Sequence, residues 1–417
     1  MQDRDLYARI LGLVDPWQVR DVQLDLAGEE VRVTVAAKST ATLGCPECGK
    51  ACPGYDTRQR SWRHLDTCQF KTILVADVPR VNRSEHGIHQ VRVPWAEPGS
   101  GFTALMEAVV INWLRSLASI KAVAEQLRLS WDEVDGIMSR AVARGLARRK
   151  TVEVRQIGVD ETSFQRRHEY VTIVIDLETG RVLHVADDRK RSSLDTYFRG
   201  LAPEHLAAIE SIAMDMWGPF IASVKEHVPG AESKIAFDKF HVASHLGKAV
   251  DDVRRAEHRT LAASGDHALK GTRFALLTNP DNMSMAKRAT IHVLQGLNLK
   301  AARAWSLKET AMDIWRYVSR HHAGAALREW ASRAMRSRLA PIKQCARMIR
   351  EHLWGIVNAM ALGVTNACSE SVNSMVQRVK RSACGFQNRE RFKNAILFHL
   401  GGLDLYPATA SVTHTSS

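Results

Sequence analysis

No stretch of this 417-residue chain approaches the ~20 consecutive apolar residues that a membrane-spanning helix needs; even "AVVINWLRSLAS" is interrupted by Arg115. The first residues, "MQDRDLYARILGL", mix acids with bases and lack an apolar core followed by a small-residue cleavage site. No secretory leader is expected, and the reducing cytoplasm is the expected compartment. Cysteine is scarce: of seven, four crowd between Cys45 and Cys68, which disfavours a disulfide framework and leaves a metal site or ordinary thiols. There is neither an internal repeat nor a low-complexity tract. Acids are in deficit, 45 Asp and Glu against 58 Lys and Arg, for a net charge of +13 and a pI near 9.6. Such an excess suits a polyanionic partner whose phosphates it would neutralise, although anionic membranes and plain solvated surfaces also go with it. Apolar sequence is plentiful at 45%, enough in this length for two or three packed domains.

Alternation with a period of two in "VQLDLAGEEVRVTVAA", turned at Gly28, predicts a β-hairpin and a small β-rich module over residues 1–98. Pro94, Pro98, Gly99 and Gly101 end that module. Residues 99–150 read as helical, and "SIKAVAEQLRLSWDEVDGIMSRAVARGLARRK" gives two helices joined by a tight turn, the second opened by a Ser130/Glu133 capping box. Arg140, Arg144, Arg148 and Arg149 give it a basic face, which fits a DNA-binding helix-turn-helix or a helical hairpin with solvated charges. From residue 151 the pattern is α/β: "VEVRQIGVD", "EYVTIVID", "RVLHVAD", "SIAMD" and "SKIAFD" read as five strands, with helices around 193–208 and 219–227. After "FDKFH" more than a hundred residues turn helical, so an all-α insertion is expected over 242–365. The tail, 408–417, lacks periodicity and bulk and is expected to be disordered.

Three groups of residues carry chemistry. Cys45 and Cys48 in "CPECG" have the knuckle spacing that lets two thiolates share one tetrahedral Zn²⁺; Cys52, His64, Cys68, His86 and His89 are candidates for the other half, and two ordinary thiols are the alternative. Asp160 in "IGVDETSF" and Asp215 in "MDMWGPF" each close a predicted strand. One strand-end Asp is usually a local cap, but a pair on neighbouring strands can hold two Mg²⁺ (or Mn²⁺) ions ~3.5–4 Å apart for phosphoryl transfer. Glu370 in "NACSESVNS" stands at the start of a helix and offers a third carboxylate, with Arg378, Lys380, Arg381 and Arg389 following as phosphate ligands or a solvated face.

From "CPECG" to "GLDLYP" the chain resembles bacterial insertion-sequence transposases of the ISL-three family: "QRSWRHLD", "VPWAEPGSGFT", "IGVDETSF", "MDMWGPF", "FDKFHV", "NACSESVNS" and "GFQNRERFKNAILFH" fall in that family's order. The resemblance implies an α/β ribonuclease-H-like catalytic core, split by the insertion into 151–241 and 366–407, with Asp160, Asp215 and Glu370 as its acidic triad. It also implies an N-terminal zinc-binding module and a helix-turn-helix. Asp238 and His241 match a D-x-x-H element of related transposases and are read as supporting residues. The family's third zinc cysteine, before "EHG", is Arg83 here, so Cys52 or Cys68 would have to join Cys45, Cys48 and His86, or the module folds without metal. Metal-dependent cleavage and strand transfer at terminal inverted repeats of double-stranded DNA, by a homodimer or larger assembly, is the implied activity. A structure-specific nuclease without strand transfer and a non-catalytic DNA-binding regulator are the alternatives.

Overall fold

The computed structural model describes residues 3–39, 41–116, 119–150, 153–165, 169–364 and 367–408. Of the tail expected to be disordered, 408–417, all but Ala408 lies outside them. The chain divides into two compact units, Met1–Lys150 with Val379–Gly385 and Leu397–Ser417, and Thr151–Arg378 with Phe386–Ile396. Among the described residues no helix is long and apolar enough to cross a membrane.

The first unit, expected as a β-rich module, begins with a helix, α1 (Asp3–Ile10). β1 (Trp17–Asp25) and β2 (Glu30–Ala37) then form the expected antiparallel hairpin. β3 (Gly54–Thr67) and β4 (Phe70–Arg83) make a second, long hairpin, and β5 (Gly87–Gln90) pairs with the end of β4, so the sheet runs β1-β2-β4-β3 with β5 beside β4. Alternate residues Val31, Val33 and Val35 are buried, as a sheet with one covered face requires. Trp17, Trp62 and Trp95 share their core, ring edges meeting faces at 4.9 and 5.4 Å.

Three helices follow: α2 (Ala104–Arg115), α3 (Ile120–Leu127) and α4 (Trp131–Arg148). The capping box at Ser130 and Glu133 forms, and Val123, Ala124, Val134, Ile137 and Met138 are buried. The four arginines of this face all have partners within the first unit. Arg140 and Arg144 donate to the buried Glu107, and Arg144 also to Glu97 and to the carbonyl of Leu405. Arg148 reaches Asp404 and the Tyr406 carbonyl, and Arg149 the Gly401 carbonyl. The cause is packing: Gly145 lets residues 401–406 lie so close that a Cβ there would meet that of Leu403 at 2.6 Å. The arginines then supply donors for carbonyls with no strand or helix partner. Part of the expected 366–407 segment therefore packs with the N-terminal modules.

The second unit is a five-stranded sheet in the order β10-β9-β6-β7-β8. β6 (Gln156–Gln165), β7 (Glu169–Asp176) and β8 (Val182–Asp187) form an antiparallel meander. Its central strand is buried on both faces from Val171 to Ile175, the continuous apolar run such a position demands. α5 (Arg191–Arg199) and α6 (Pro203–Ala208) cross to β9 (Ser211–Met214), and α7 (Gly218–His227) and α8 (Ala231–Lys234) to β10 (Ile235–Phe237), both strands parallel to β6.

The insertion is helical throughout: α9 (Lys239–Ala263), α10 (Arg273–Leu277), α11 (Met285–Gly296), α12 (Lys300–Asp313), α13 (Arg320–Arg336), α14 (Ala340–Glu351) and α15 (Leu353–Leu362). It shares one hydrophobic core with the sheet, running from Ile157 through Trp330 to Met360. α15 clasps β10: Asn358 donates to the Ile235 carbonyl, and Gly355 leaves room for the Phe237 ring, which a Cβ would meet at 2.4 Å. α16 (Ala367–Ser382) and α17 (Arg389–Leu400) follow.

Candidate active site

Pairing of β6 with β9 sets Gly158 opposite Ala213, and pairing of β9 with β10 sets Met214 opposite Phe237. Continued by two residues and by one, the same registers bring Asp160, Asp215 and Asp238 level on three adjacent chains. Asp215 and Asp238 follow strand ends as expected, but Asp160 is the fifth residue of a ten-residue strand. β6 runs on because Thr162 and Phe164 are buried and Gln165 still pairs with Glu169; its other neighbour, β9, stops at Met214 and leaves Asp160 beside an open edge.

α16 lies along β6 in a matched ladder. Ser369 Oγ faces Gly158, Asn373 Nδ2 donates to Asp160 Oδ2 at 2.7 Å, and Gln377 Nε2 donates to Thr162 Oγ1 at 3.0 Å. Four helical residues rise about 6 Å and two strand residues about 6.6 Å, so positions 369, 373 and 377 keep step with 158, 160 and 162. Only glycine fits at 158: an added Cβ would sit 2.6 Å from Ser369 Oγ and 2.7 Å from Leu177 Cδ2. Gly158→Ala is therefore expected to cost about 1–3 kcal/mol by overpacking. Ser369→Ala should restore part of it in a double-mutant cycle read by denaturant melts; strictly additive costs would refute the contact.

Asp238 caps α9, its carboxylate accepting from the Phe240 N–H at 3.0 Å. One turn on, His241 Nδ1 lies 2.6 Å from Asp215 Oδ1 and Nε2 3.8 Å from Asp238 Oδ2. Burial alone would lower the His241 pKa, but Asp215, with Asp238 and Asp160 behind it, raises it. Burial raises Asp160, against the hydrogen bond from the Glu161 N–H, and repulsion from Asp215 and Asp238 adds to the rise. Glu370 stands exposed in the first turn of α16, and its carboxylate does not converge with those of Asp160 and Asp215 to within a shared metal's reach.

Pattern reasoning missed Glu161. It is pushed up to about 7, chiefly by burial, with Arg189 opposing and Asp215 and Asp160 adding to the rise. Arg189 Nε lies 2.9 Å from its carboxylate, and the guanidinium stacks 4.3 Å from the Trp217 ring centre. The adjacent acids in "VDE" were the only signal. Of the basic residues expected on phosphate, Arg378 is exposed, Lys380 and Arg381 lie in the last turn of α16, and Arg389 is held 3.3 Å from both Glu169 and Asp188.

In the first unit, ligand atoms of Cys45, Cys48 and His86 lie within 4.8 Å of one another, with Cys45 Sγ 3.4 Å from His86 Nδ1. The Cys48 N–H brings the Cys45 thiol down to about 6. Cys52 stays outside this group, its thiol donating to the Lys50 carbonyl, beside an Arg83 that is ion-paired with Glu85 at 3.1 Å. Cys68 occupies the turn of the β3–β4 hairpin, opposite the end where Gly54 meets Val81, so it is no substitute ligand.

A sequence profile described as "Transposase", DDE_Tnp_ISL3, matches residues 157–396, more than half of the chain. The chain belongs to the ISL3 transposase family. Within that family's organisation, the helix-turn-helix domain of transposase family ISL3 matches residues 91–142, covering α2, α3 and most of α4. The zinc-finger of transposase IS204/IS1001/IS1096/IS1165 matches residues 42–82, which include Cys45 and Cys48. The chain is 29% identical over 432 residues to the transposase for insertion sequence element IS1557 of Mycobacterium tuberculosis (strain CDC 1551 / Oshkosh), covering 96% of each chain. It is 24% identical over 366 residues to the transposase for insertion sequence element IS1001 of Bordetella parapertussis, covering 86% of this chain and 89% of that one. An insertion-sequence transposase with DDE, helix-turn-helix and zinc-ribbon parts is thus the class of this enzyme.

Proposed function

We propose that this ISL3 transposase cuts double-stranded DNA at terminal inverted repeats and joins the freed 3′ hydroxyl to target DNA, with Asp160, Asp215 and Glu370 holding two Mg²⁺ or Mn²⁺ ions on a ribonuclease-H-like sheet. The observation that carries the reading is the parallel register of β6 on β9, Gly158 opposite Ala213, which continued by two residues sets Asp160 beside Asp215. An antiparallel meander extended by two parallel strands through helical crossovers supports the ribonuclease-H-like assignment. The donor set suits divalent cations: Asp160 is raised by burial and by repulsion from Asp215 and Asp238, and the cationic groups facing these acids, His241 among them, leave that rise in place. Glu370 is one helical turn from Asn373, whose amide already holds Asp160, and turning its exposed side chain would bring it toward the same edge. Bound divalent ions supply an acidified attacking hydroxyl and charge stabilisation for the leaving oxygen. The chain's own part is positional: Asn373 fixes the Asp160 carboxylate, and His241 and Asp238 flank Asp215. Two DNA ends cut in concert call for two protomers, so a homodimer or larger assembly is part of the reading.

The test is incubation of the purified protein with labelled end DNA and a target duplex, with Mg²⁺, with Mn²⁺ or with chelator. Metal-dependent cleavage with products joined to target is expected. Cleavage without joining would leave a nuclease, and binding without either a regulator.

Cys45, Cys48 and His86 are proposed as zinc ligands in the first unit, Arg83 standing where a third cysteine would supply the fourth ligand. Cys45→Ser is expected to abolish zinc content measured by elemental analysis, while Cys52→Ser leaves it unchanged. Equal loss in both would make Cys52 a ligand.

A further inference from the structure

The helical insertion carries a cleft outside the acid cluster. It measures about 570 Å³ and lies where α11, α12 and α13 meet. Arg303, Arg333 and Arg336 line it, with Gln295 and Asn298 as amide donors and Leu307 as part of its apolar lining; no Asp or Glu lines it. All three arginines are exposed. Elsewhere in this unit arginines sit on carboxylates, as Arg254 and Arg255 do on Asp251 at 2.8 and 2.7 Å. Here, among the described residues, Arg333 has only Glu329 at 3.9 Å, with both side chains more than half exposed, and Arg303 and Arg336 form no ion pair. Like charges gathered around a concavity without counter-charge repel one another, and a polyanion relieves that repulsion.

We propose that this cleft binds the phosphodiester backbone of DNA, its three arginines engaging about three phosphates apart from the site of chemistry. The proposal rests on the reading of the chain as a DNA-handling enzyme. Arginines at an exposed rim suit a backbone running past, whereas a small anion would be enclosed by buried donors. Each phosphate neutralised releases condensed counterions, which makes the contact countable from the salt dependence of binding.

The experiment measures binding of a labelled random-sequence DNA duplex between about 50 and 200 mM salt for the wild type, for the triple variant Arg303→Gln, Arg333→Gln, Arg336→Gln, and for a control triple at the exposed Arg181, Arg259 and Lys270 of the same unit, each also changed to Gln. The cleft triple is expected to lower the slope of log affinity against log salt by about 2–3, and each single variant by about 1. The control is expected to change it far less. An unchanged slope, or equal changes in both triples, overturns the proposal. So does displacement of inorganic pyrophosphate by the cleft substitutions with no change in DNA binding, which would make the cleft a small-anion site. Thermal melts confirm that the exposed substitutions leave the fold intact. Metal-dependent cleavage by the wild type is scored separately, so failure of the catalytic reading and failure of this one give different results.

Discussion

Asp160→Ala and Asp215→Ala are each expected to reduce end cleavage by at least about a thousandfold, roughly 4 kcal/mol of transition-state stabilisation, while end-DNA binding stays within about twofold. The asymmetry follows from what each residue touches. Asp215 faces His241 and Asp160 accepts from Asn373, so on the proposed reading their loss removes metal ligands and leaves the phosphate contacts to other residues. Glu370→Ala is expected to match them, and it is the cleanest of the three, because Glu370 is exposed and its truncation opens no cavity. His241→Ala and Asn373→Ala act through Asp215 and Asp160 and should cost about ten- to a hundredfold. A cleavage assay in Mn²⁺ paired with a band-shift on the same DNA measures both quantities. Cutting that survives any one of the three alanine substitutions removes that residue from the triad.

Much of this site could be read from the chain alone, for a definite reason. A strand buried on both faces must be a continuous apolar run, so "VTIVI" announced β7, and the acids closing "SIAM" and "IAF" announced where β9 and β10 stop. Position along a strand is less legible. Asp160 looked terminal because polar residues follow it, yet alternate residues Thr162 and Phe164 are buried and the strand continues. Contacts between residues far apart in sequence were not legible at all. Nothing in the helical pattern of α16 singles out Ser369, Asn373 and Gln377; only the register of α16 on β6 turns them toward Gly158, Asp160 and Thr162. The partners of the α4 arginines were hidden for the same reason, since nothing local to them reveals Glu107 or the carbonyls of residues 401–406.

That arginine cluster yields the largest expected effect on stability: Glu107→Ala should cost about 3–5 kcal/mol. Only 2% of the Glu107 side chain is exposed, and its carboxylate accepts from Ser100 Oγ at 2.8 Å, from Arg140 Nη2 at 2.7 Å and from Arg144 Nη2 at 2.8 Å. Arg144 is itself 7% exposed. Truncating Glu107 leaves a buried guanidinium short of one of its two carboxylates, and Glu97, 26% exposed, cannot replace it. The penalty is therefore that of a buried guanidinium left under-compensated, together with the stranded Ser100 and Arg140 donors, rather than of one lost hydrogen bond. Two comparisons separate these accounts. Glu107→Gln keeps the shape and an acceptor, so it should cost less than the alanine change; Glu107→Met combined with Arg144→Leu removes both charges together and should recover much of the loss. The readout is hydrogen exchange in α2 and α4, since a chain of two compact units need not melt in one step. If Glu107→Ala and the charge-free pair lose protection equally, the loss does not come from unpaired charge, and the charge argument fails.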